Sequence, residues 1–168
     1  MSTLKKLTNT ERLILANQYK ILSKLSDNDY ERDYNQQLSD NLLSGHKWLY
    51  EDHFQIISDD LADEDTDLVV ETLSLYTTLR NNYDDLDDKT VIDEHKITFL
   101  GFDGNNESEL MTFTKALKEN DRFTRIIEKG LTNSHSPMRH KYQTMLNKWK
   151  ELNKKEILTL DELIFITD

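Results

Sequence analysis

The amino-acid sequence predicts an all-α fold, a single compact domain of several helices, and three observations support this class. The chain has 168 residues and a mass of 19.9 kDa, the usual size of one domain with a buried core. It contains only four glycines and one proline, whereas sandwiches and barrels use many of both in their turns. Apolar residues recur at helical intervals along most of the chain. We assign residues 1–9 to a lead segment and residues 10–168 to the domain.

Two helices are predicted before Gly45. Thr8 and Glu11 have the spacing of a capping box, so the first helix begins there and runs to a break at residues 26–28. The second helix begins in that break and stops at Gly45. Apolar residues at helical intervals on the first helix are Leu13, Ile14, Leu15, Tyr19, Ile21, Leu22 and Leu25. On the second helix they stand four apart, at Tyr30, Tyr34, Leu38 and Leu42.

The middle of the chain contains the longest predicted helix and the only segments with strand propensity. Residues 46–61 are interpreted as a short helix or an ordered loop, and residues 63–83 carry one wide apolar stripe typical of a central helix. Residues 96–102 have strand propensity and precede an Asp-Gly turn. With residues 156–159 they could form one short two-stranded ribbon, which the pattern allows but does not require.

Four shorter helices are predicted after residue 105. The first two cover residues 106–120 and 123–129, and Gly130 ends the second of them. The third opens with Ser136 as N-cap and Pro137 at its first position. A capping box formed by Thr159 and Glu162 opens the last helix.

The net charge of −11 is distributed unevenly along the chain. Residues 55–94 carry −11 and residues 115–155 carry +7, so we expect the two segments to attract each other within one subunit or across two. The basic segment is interpreted as a solvated, internally compensated face. The alternative is a phosphate-binding surface for nucleic acid or a nucleotide, which the acidic balance disfavours. Its basic residues on one predicted helix are Arg139, Lys141, Lys148 and Lys150.

Several classes of enzyme and of metal site lack their motifs. There is no cysteine, no glycine-rich phosphate loop, no His-Glu-x-x-His helix and no nucleophile elbow. The spacing of Asp103, Asn105 and Glu107 imitates a calcium loop, but the glycine required at the sixth position is absent, and we interpret the segment as a turn and helix cap. We predict no metal and no cofactor. The chain has no long apolar segment and no signal-peptide pattern at its start, so we expect a cytoplasmic protein without a membrane span.

Three blocks of sequence resemble the YfbU domain family. They are residues 11–20 (ERLILANQYK), residues 92–103 (IDEHKITFLGFD) and residues 137–149, with Pro137, Tyr142 and Trp149. The resemblance covers nearly the whole chain and implies an all-helical fold of bacteria and archaea to which it attaches no biochemical activity. Some members carry the domain beside a DNA-binding module, which implies a sensing or interaction role for the domain.

Two groups of residues stand out within these blocks. Charged groups resist burial unless they are paired or used, and an amide inside an apolar helix either joins an internal network or faces a ligand. The candidate functional or ligand-contacting residues are therefore Arg12, Asn17, Gln18, Asp93, Glu94 and Asp103. For Arg12 the alternative is a structural ion pair with a carboxylate. Residues with the bulk or backbone freedom of structural positions are Tyr19, Phe99, Gly101, Phe102, Tyr142 and Trp149.

The sequence favours a protein-interaction or ligand-sensing module that self-associates through a helical face, with a dimer as the favoured homo-oligomer. Its partner would be a protein or a small ligand, and nucleic acid is disfavoured. The alternative is a hydrolase or nucleotide-processing enzyme that uses Asp93 and Asp103, with basic residues holding a phosphate.

Overall fold

The computed structural model describes residues 6–54 and 59–168 of the chain. Seven α-helices and no strand occur within these ranges, which confirms the all-α class. The chain divides into two compact units, Met1–Asp60 (unit 1) and Leu61–Asp168 (unit 2), a division for which the sequence contains no recognisable linker.

Unit 1 is built on a pair of helices that begin and end where the sequence predicts. Its elements are α1 (Asn9–Leu25), α2 (Asp29–Ser44) and two 3-10 helices, Lys47–Leu49 and Glu51–Phe54. The Thr8 hydroxyl accepts a hydrogen bond from the Glu11 amide, and the Glu11 carboxylate accepts one from the Thr8 amide, which is the predicted capping box. Gly45 ends α2 in the left-handed region with φ of 74°. Residues 55–58 of the predicted ordered segment lie outside the described residues.

The core of unit 1 is small. Its buried hydrophobic residues, among those described, are Ala16, Leu38, Leu42 and Tyr50. Of the four residues that stand four apart on α2, Leu38 and Leu42 are buried, whereas Tyr30 is 80% exposed and Tyr34 lies against His53 near the surface. Most of the apolar residues predicted on α1 are also exposed. Among the described residues, unit 1 therefore has more exposed than buried large hydrophobic residues.

Unit 2 contains the remaining five α-helices. They are α3 (Asp63–Asp84), α4 (Ser108–Glu119), α5 (Thr124–Lys129), α6 (Arg139–Glu151) and α7 (Leu160–Thr167). Two 3-10 helices, Lys89–Val91 and Glu94–Ile97, lie between α3 and α4. The predicted capping box of Thr159 and Glu162 opens α7, and Gly130 follows α5 as expected.

Four aromatic rings form the centre of the unit 2 core, and α3 and α6 supply two of them. Tyr76, Phe99, Phe102 and Tyr142 pack with ring centroids 5.3 to 5.9 Å apart in mostly edge-to-face arrangements. The Tyr142 hydroxyl donates to the Gly101 carbonyl at 3.0 Å and accepts from the Leu100 amide at 3.2 Å. Three of the predicted structural residues, Phe99, Phe102 and Tyr142, are thus buried together.

The segment with strand propensity does not form the predicted ribbon with residues 156–159. Phe102 instead makes an isolated parallel bridge with Asn133, and the Leu131 amide donates to the Phe99 carbonyl at 2.9 Å. Gly101 makes this approach possible, because a Cβ at its φ of 79° would lie 2.5 Å from the carbonyl carbon of Thr132.

Ion pairs join the acidic and basic segments inside unit 2, which confirms the predicted attraction in its intramolecular form. Arg139 lies 2.5 Å from Asp65, and Arg125 lies 2.5 Å from Asp84. Glu71 accepts from both Lys154 at 2.6 Å and Lys150 at 3.0 Å. The hydrogen bond from Lys154 and the charge of Lys150 hold the pKa of Glu71 below its ordinary value. The four basic residues of these pairs are therefore compensated by acids of α3.

Candidate functional site

Two of the charged candidates of the second sequence block, Asp93 and Glu94, lie at the start of the 3-10 helix Glu94–Ile97. Asp93 is its N-cap, and its carboxylate accepts a hydrogen bond from the His95 amide at 2.9 Å. Glu94 pairs with the guanidinium of Arg80 at 2.6 Å, and the Arg80 side chain is only 12% exposed. The Asp93 carboxylate thus has a partner in its own turn, and the Glu94 carboxylate has one on α3.

Asp103 belongs to a tight loop, residues 103–107, that is closed from both ends. Its carboxylate accepts from the Asn105 amide at 3.1 Å and from the Asn106 side chain. The Glu107 amide donates to the Asp103 carbonyl at 2.7 Å, and the Asp103 amide donates to the Glu107 carboxylate at 3.0 Å. The predicted turn is confirmed, whereas the predicted helix cap is wrong, because the N-cap of α4 is Glu107 and its side chain makes no capping hydrogen bond to that helix. Asp103 is only 2% exposed.

Sequence reasoning names Glu107 only in the spacing that imitates a calcium loop and does not include it among the candidate functional residues. Its carboxylate is buried and reaches α6, where it accepts hydrogen bonds from the amides of Met138 at 2.9 Å and Arg139 at 2.7 Å. These amides lie at the start of the helix, where unpaired N–H groups and the helix dipole favour a negative charge. A carboxylate from the start of α4 thus caps α6.

The predicted start of α6 is therefore displaced. The prediction placed the N-cap at Ser136 and the first helical position at Pro137, whereas Met138 is the N-cap and the helix begins at Arg139. The Ser136 carbonyl accepts from the Ser134 hydroxyl at 2.7 Å, as part of the turn before the helix. The capping carboxylate belongs to Glu107, 31 residues earlier in the chain, so the sequence near the helix start does not predict it.

The loop carboxylate gives a testable pH dependence. The Asn106 amide group and the Asn105 backbone N–H hold the pKa of the Asp103 carboxyl below its ordinary value. Such a group contributes stability above its unfolded pKa of about 3.9, and the contribution is lost as the pH falls through the lower folded pKa. We expect Asp103→Asn to be less stable than wild type at neutral pH, with a difference that shrinks below about pH 4. Urea unfolding across that range measures it.

The control for this experiment is Asp87→Asn, which removes an exposed carboxylate from a different loop of unit 2. The difference in free energy of unfolding between Asp87→Asn and wild type reports the effect of the change in net charge alone. If the difference in free energy of unfolding between Asp103→Asn and wild type stayed constant down to the lowest pH, the lowered pKa of Asp103 would be contradicted.

Arg12 has a role inside unit 1. Its guanidinium donates to the Asn9 side chain at 3.0 Å and lies beside the Gly45 turn, where a Cβ would be 2.5 Å from its Nη1 atom. Among residues 6–54 and 59–168 no carboxylate forms an ion pair with it, so the expected structural pair is not seen in that part of the chain. A positive charge at this place complements the C-terminal end of α2.

Asn17 and Gln18, the two amides of the block at residues 11–20, lie on the exposed side of α1. Ala16 and Ser23 are buried on the side of α1 that faces α2. A residue two positions from either of them lies about 200° away round the helix axis. Ile14 and Ile21 consequently lie opposite, and each exposes more than half of its surface. We call this side the outer stripe of α1; its members are Ile14, Gln18, Ile21 and Leu25. Gln18 is in its middle and Asn17 at its border, both exposed.

The outer stripe is part of a wider apolar excess in unit 1. Of the fourteen large hydrophobic residues exposed among residues 6–54 and 59–168, ten lie in unit 1, although unit 2 is the longer unit. Those of α1 are Leu13, Ile14, Ile21, Leu22 and Leu25, and the others are Tyr30, Tyr34, Leu43, Trp48 and Leu49. Most of the large hydrophobic side chains that are exposed in the described residues therefore belong to unit 1.

The basic face of α6 is largely used within unit 2. Arg139 and Lys150 are in ion pairs with acids of α3, and Lys148 lies over the Phe165 ring at 5.4 Å. Lys141 lines a groove of about 310 Å³ between α6 and α7, whose floor includes Met145 and whose rim includes the C-terminal Asp168. Two of the four cations of this face are thus paired with acids, which reduces the positive charge available for phosphate binding.

In residues 6–54 and 59–168, no group of three or more His, Asp or Glu side chains has the arrangement of a metal site. Likewise, none of the helices in these residues combines the length and the apolar character needed to cross a bilayer.

Comparison with known proteins identifies a family and a similar protein of an archaeon. A protein-family model described as the YfbU domain matches residues 5–168. The chain is also similar to a UPF0304 protein of Methanocaldococcus jannaschii, with 34% identity over 168 residues that cover 95% of this chain and 98% of that protein. Both matches extend over nearly the whole chain, in agreement with the three sequence blocks.

Proposed function

We propose a function from the premise that the chain belongs to the YfbU domain family: it is a cytoplasmic protein-interaction module that associates with its own copies as a dimer. The observation that carries the proposal is the exposed apolar surface of unit 1, above all that of α1. Burial of apolar surface is the main favourable term in protein association.

The size of the unit 1 core supports this proposal. Four buried hydrophobic residues hold α1 and α2 together among the described residues, whereas the unit 2 core contains twenty-two. Small helical units with so little buried apolar surface usually gain stability from a partner. A second apolar surface on α1 gives unit 1 a means of obtaining it.

The charges of unit 2 support the same interpretation by elimination. Four of its cations, Arg125, Arg139, Lys150 and Lys154, pair with acids of α3, which weighs against a free basic surface for nucleic acid. The enzyme alternative rests on Asp93 and Asp103, and the carboxylate of each accepts hydrogen bonds from its own turn. Asp103 is also almost fully buried, which weighs against contact with a substrate.

Native mass spectrometry and sedimentation at micromolar concentration test the proposal. We expect a mass of twice the 19.9 kDa chain, with little change on adding salt because the proposed contact is apolar. The same spectrum would reveal a retained small molecule, which would support the ligand-sensing form of the module. A monomer that is unaffected by concentration or salt would overturn the proposed self-association.

A further inference from the structure

We propose that two copies of this chain associate by packing the outer stripes of their α1 helices together, with the two Gln18 amides facing each other inside the contact. This inference rests on the proposed self-association and adds the surface that performs it. It also gives a role to an amide that stands in an otherwise apolar stripe.

The spacing of the outer stripe is that of a coiled-coil seam. Ile14, Gln18, Ile21 and Leu25 are separated by four, three and four residues, the alternation that places side chains at successive a and d positions. The inner side of α1 packs against α2 through Ala16 and Ser23, and the Ser23 hydroxyl donates to the Arg32 carbonyl at 2.9 Å. α1 therefore has one seam that is filled inside unit 1 and a second that is exposed.

The exposed area is sufficient for a specific contact. Ile14, Ile21 and Leu25 are 52%, 57% and 71% exposed, and Leu22 at the border of the stripe is 48% exposed. Each contributes about 100 Å² of apolar surface. Together with Gln18 and the flanking side chains, two copies would bury about 1,000 Å², the lower limit for a specific interface.

Gln18 favours a second copy over an unrelated apolar partner. Against a purely apolar surface its amide would lose its hydrogen bonds to water and gain none. A second Gln18 supplies both a carbonyl acceptor and an N–H donor, so the two amides can satisfy each other. A single amide in an apolar seam also fixes the register and the number of helices, as buried polar residues do in coiled coils.

Charge substitutions at Gln18 test the seam without removing any buried group. Because Gln18 is exposed, Gln18→Glu and Gln18→Lys should leave the folded chain intact, as circular dichroism can verify. Each variant alone places two like charges in the contact, and we expect its dimer dissociation constant to rise about tenfold or more. A one-to-one mixture of the two variants should form a heterodimer with an affinity close to that of wild type.

Lys20→Glu is the matched control. It changes a charge on the same helix, two positions from Gln18 and therefore about 200° away from it. We expect its dissociation constant to remain within about threefold of wild type.

The outcomes separate this inference from the proposed function. If wild type dimerises and both Gln18 variants dimerise equally well, the seam is wrong while self-association stands. If the variants dissociate but their mixture does not recover the dimer, the facing arrangement of Gln18 is wrong. A monomeric wild-type chain would overturn both the proposed self-association and the proposed packing of two outer stripes.

Discussion

Replacing Glu107 with alanine is expected to lower the free energy of unfolding of unit 2 by about 3–4 kcal/mol. The Glu107 carboxylate accepts from three backbone amides, those of Asp103, Met138 and Arg139, and the residue is 8% exposed. Alanine leaves the amides of Asp103 and Met138 buried without an acceptor, and each such loss costs about 1–3 kcal/mol. It also removes the negative charge at the start of α6. Urea unfolding followed by circular dichroism measures the change.

Two further variants make this prediction specific. Glu107→Gln retains the size and one acceptor oxygen but introduces donors near the amides, so we expect about half of the alanine effect. Glu109→Ala removes an exposed carboxylate from the first turn of α4 and should change stability by less than about 0.5 kcal/mol. If Glu107→Ala were as mild as Glu109→Ala, the proposed link between the 103–107 loop and α6 would be wrong.

Replacing Gly101 with alanine is expected to cost about 3 kcal/mol. The residue has φ of 79°, where an L side chain is strained, and a Cβ there would lie 2.5 to 2.6 Å from backbone atoms of Leu131 and Thr132. The two segments would have to separate, which would also disturb the hydrogen bond from Tyr142 to the Gly101 carbonyl. Thermal and urea unfolding of the variant measure the loss.

Gly45→Ala is the matched comparison for Gly101→Ala. Its φ of 74° gives nearly the same backbone strain, but the atom that a Cβ would meet is the end of the flexible Arg12 side chain. We therefore expect a loss of only about 1 kcal/mol, the contribution of the left-handed backbone itself. Equal losses at the two glycines would show that the backbone contact at Gly101 carries no additional energy.

The parts of the fold that the sequence predicts correctly are those fixed by neighbouring residues. The capping boxes of Thr8 and Thr159, and the stop at Gly45, depend on groups within three or four positions, so their chemistry can be read from a short segment. The apolar spacing of α3 is equally local, and its predicted range of residues 63–83 is one residue shorter than the helix.

The parts that the sequence predicts incorrectly depend on distant groups. Ser136 and Pro137 have the pattern of a helix start, but the Glu107 carboxylate satisfies the amides at Met138 and Arg139 and moves the start. Residues 96–102 look like a strand because of Phe99 and Phe102. These rings instead enter the aromatic core, and the backbone finds a single bridge at Asn133.

The candidate site residues also fall into two groups, those explained by a side-chain partner and those explained by the packing of a neighbouring helix. Asp93, Glu94 and Asp103 were selected because charged groups need partners, and each has a partner in its own turn or in the same unit. The pattern predicts that Asn17 and Gln18 either join an internal network or face a ligand. Both lie on the exposed side of α1. Helical periodicity alone does not tell which of two apolar sides of a helix is filled. Only the packing of α2 decides that for α1.

The unequal cores of the two units have a consequence for the lifetime of the protein. Among the described residues, the core of unit 1 has four buried hydrophobic residues and that of unit 2 has twenty-two, so we expect unit 1 to open by local unfolding at a much lower free energy. Its amide protons should exchange first, and proteases should cut it first. Any partner that binds only the closed form of unit 1 raises the free energy of this opening. If the partner is another copy of the chain, the abundance of the protein would govern how long its own first two helices survive.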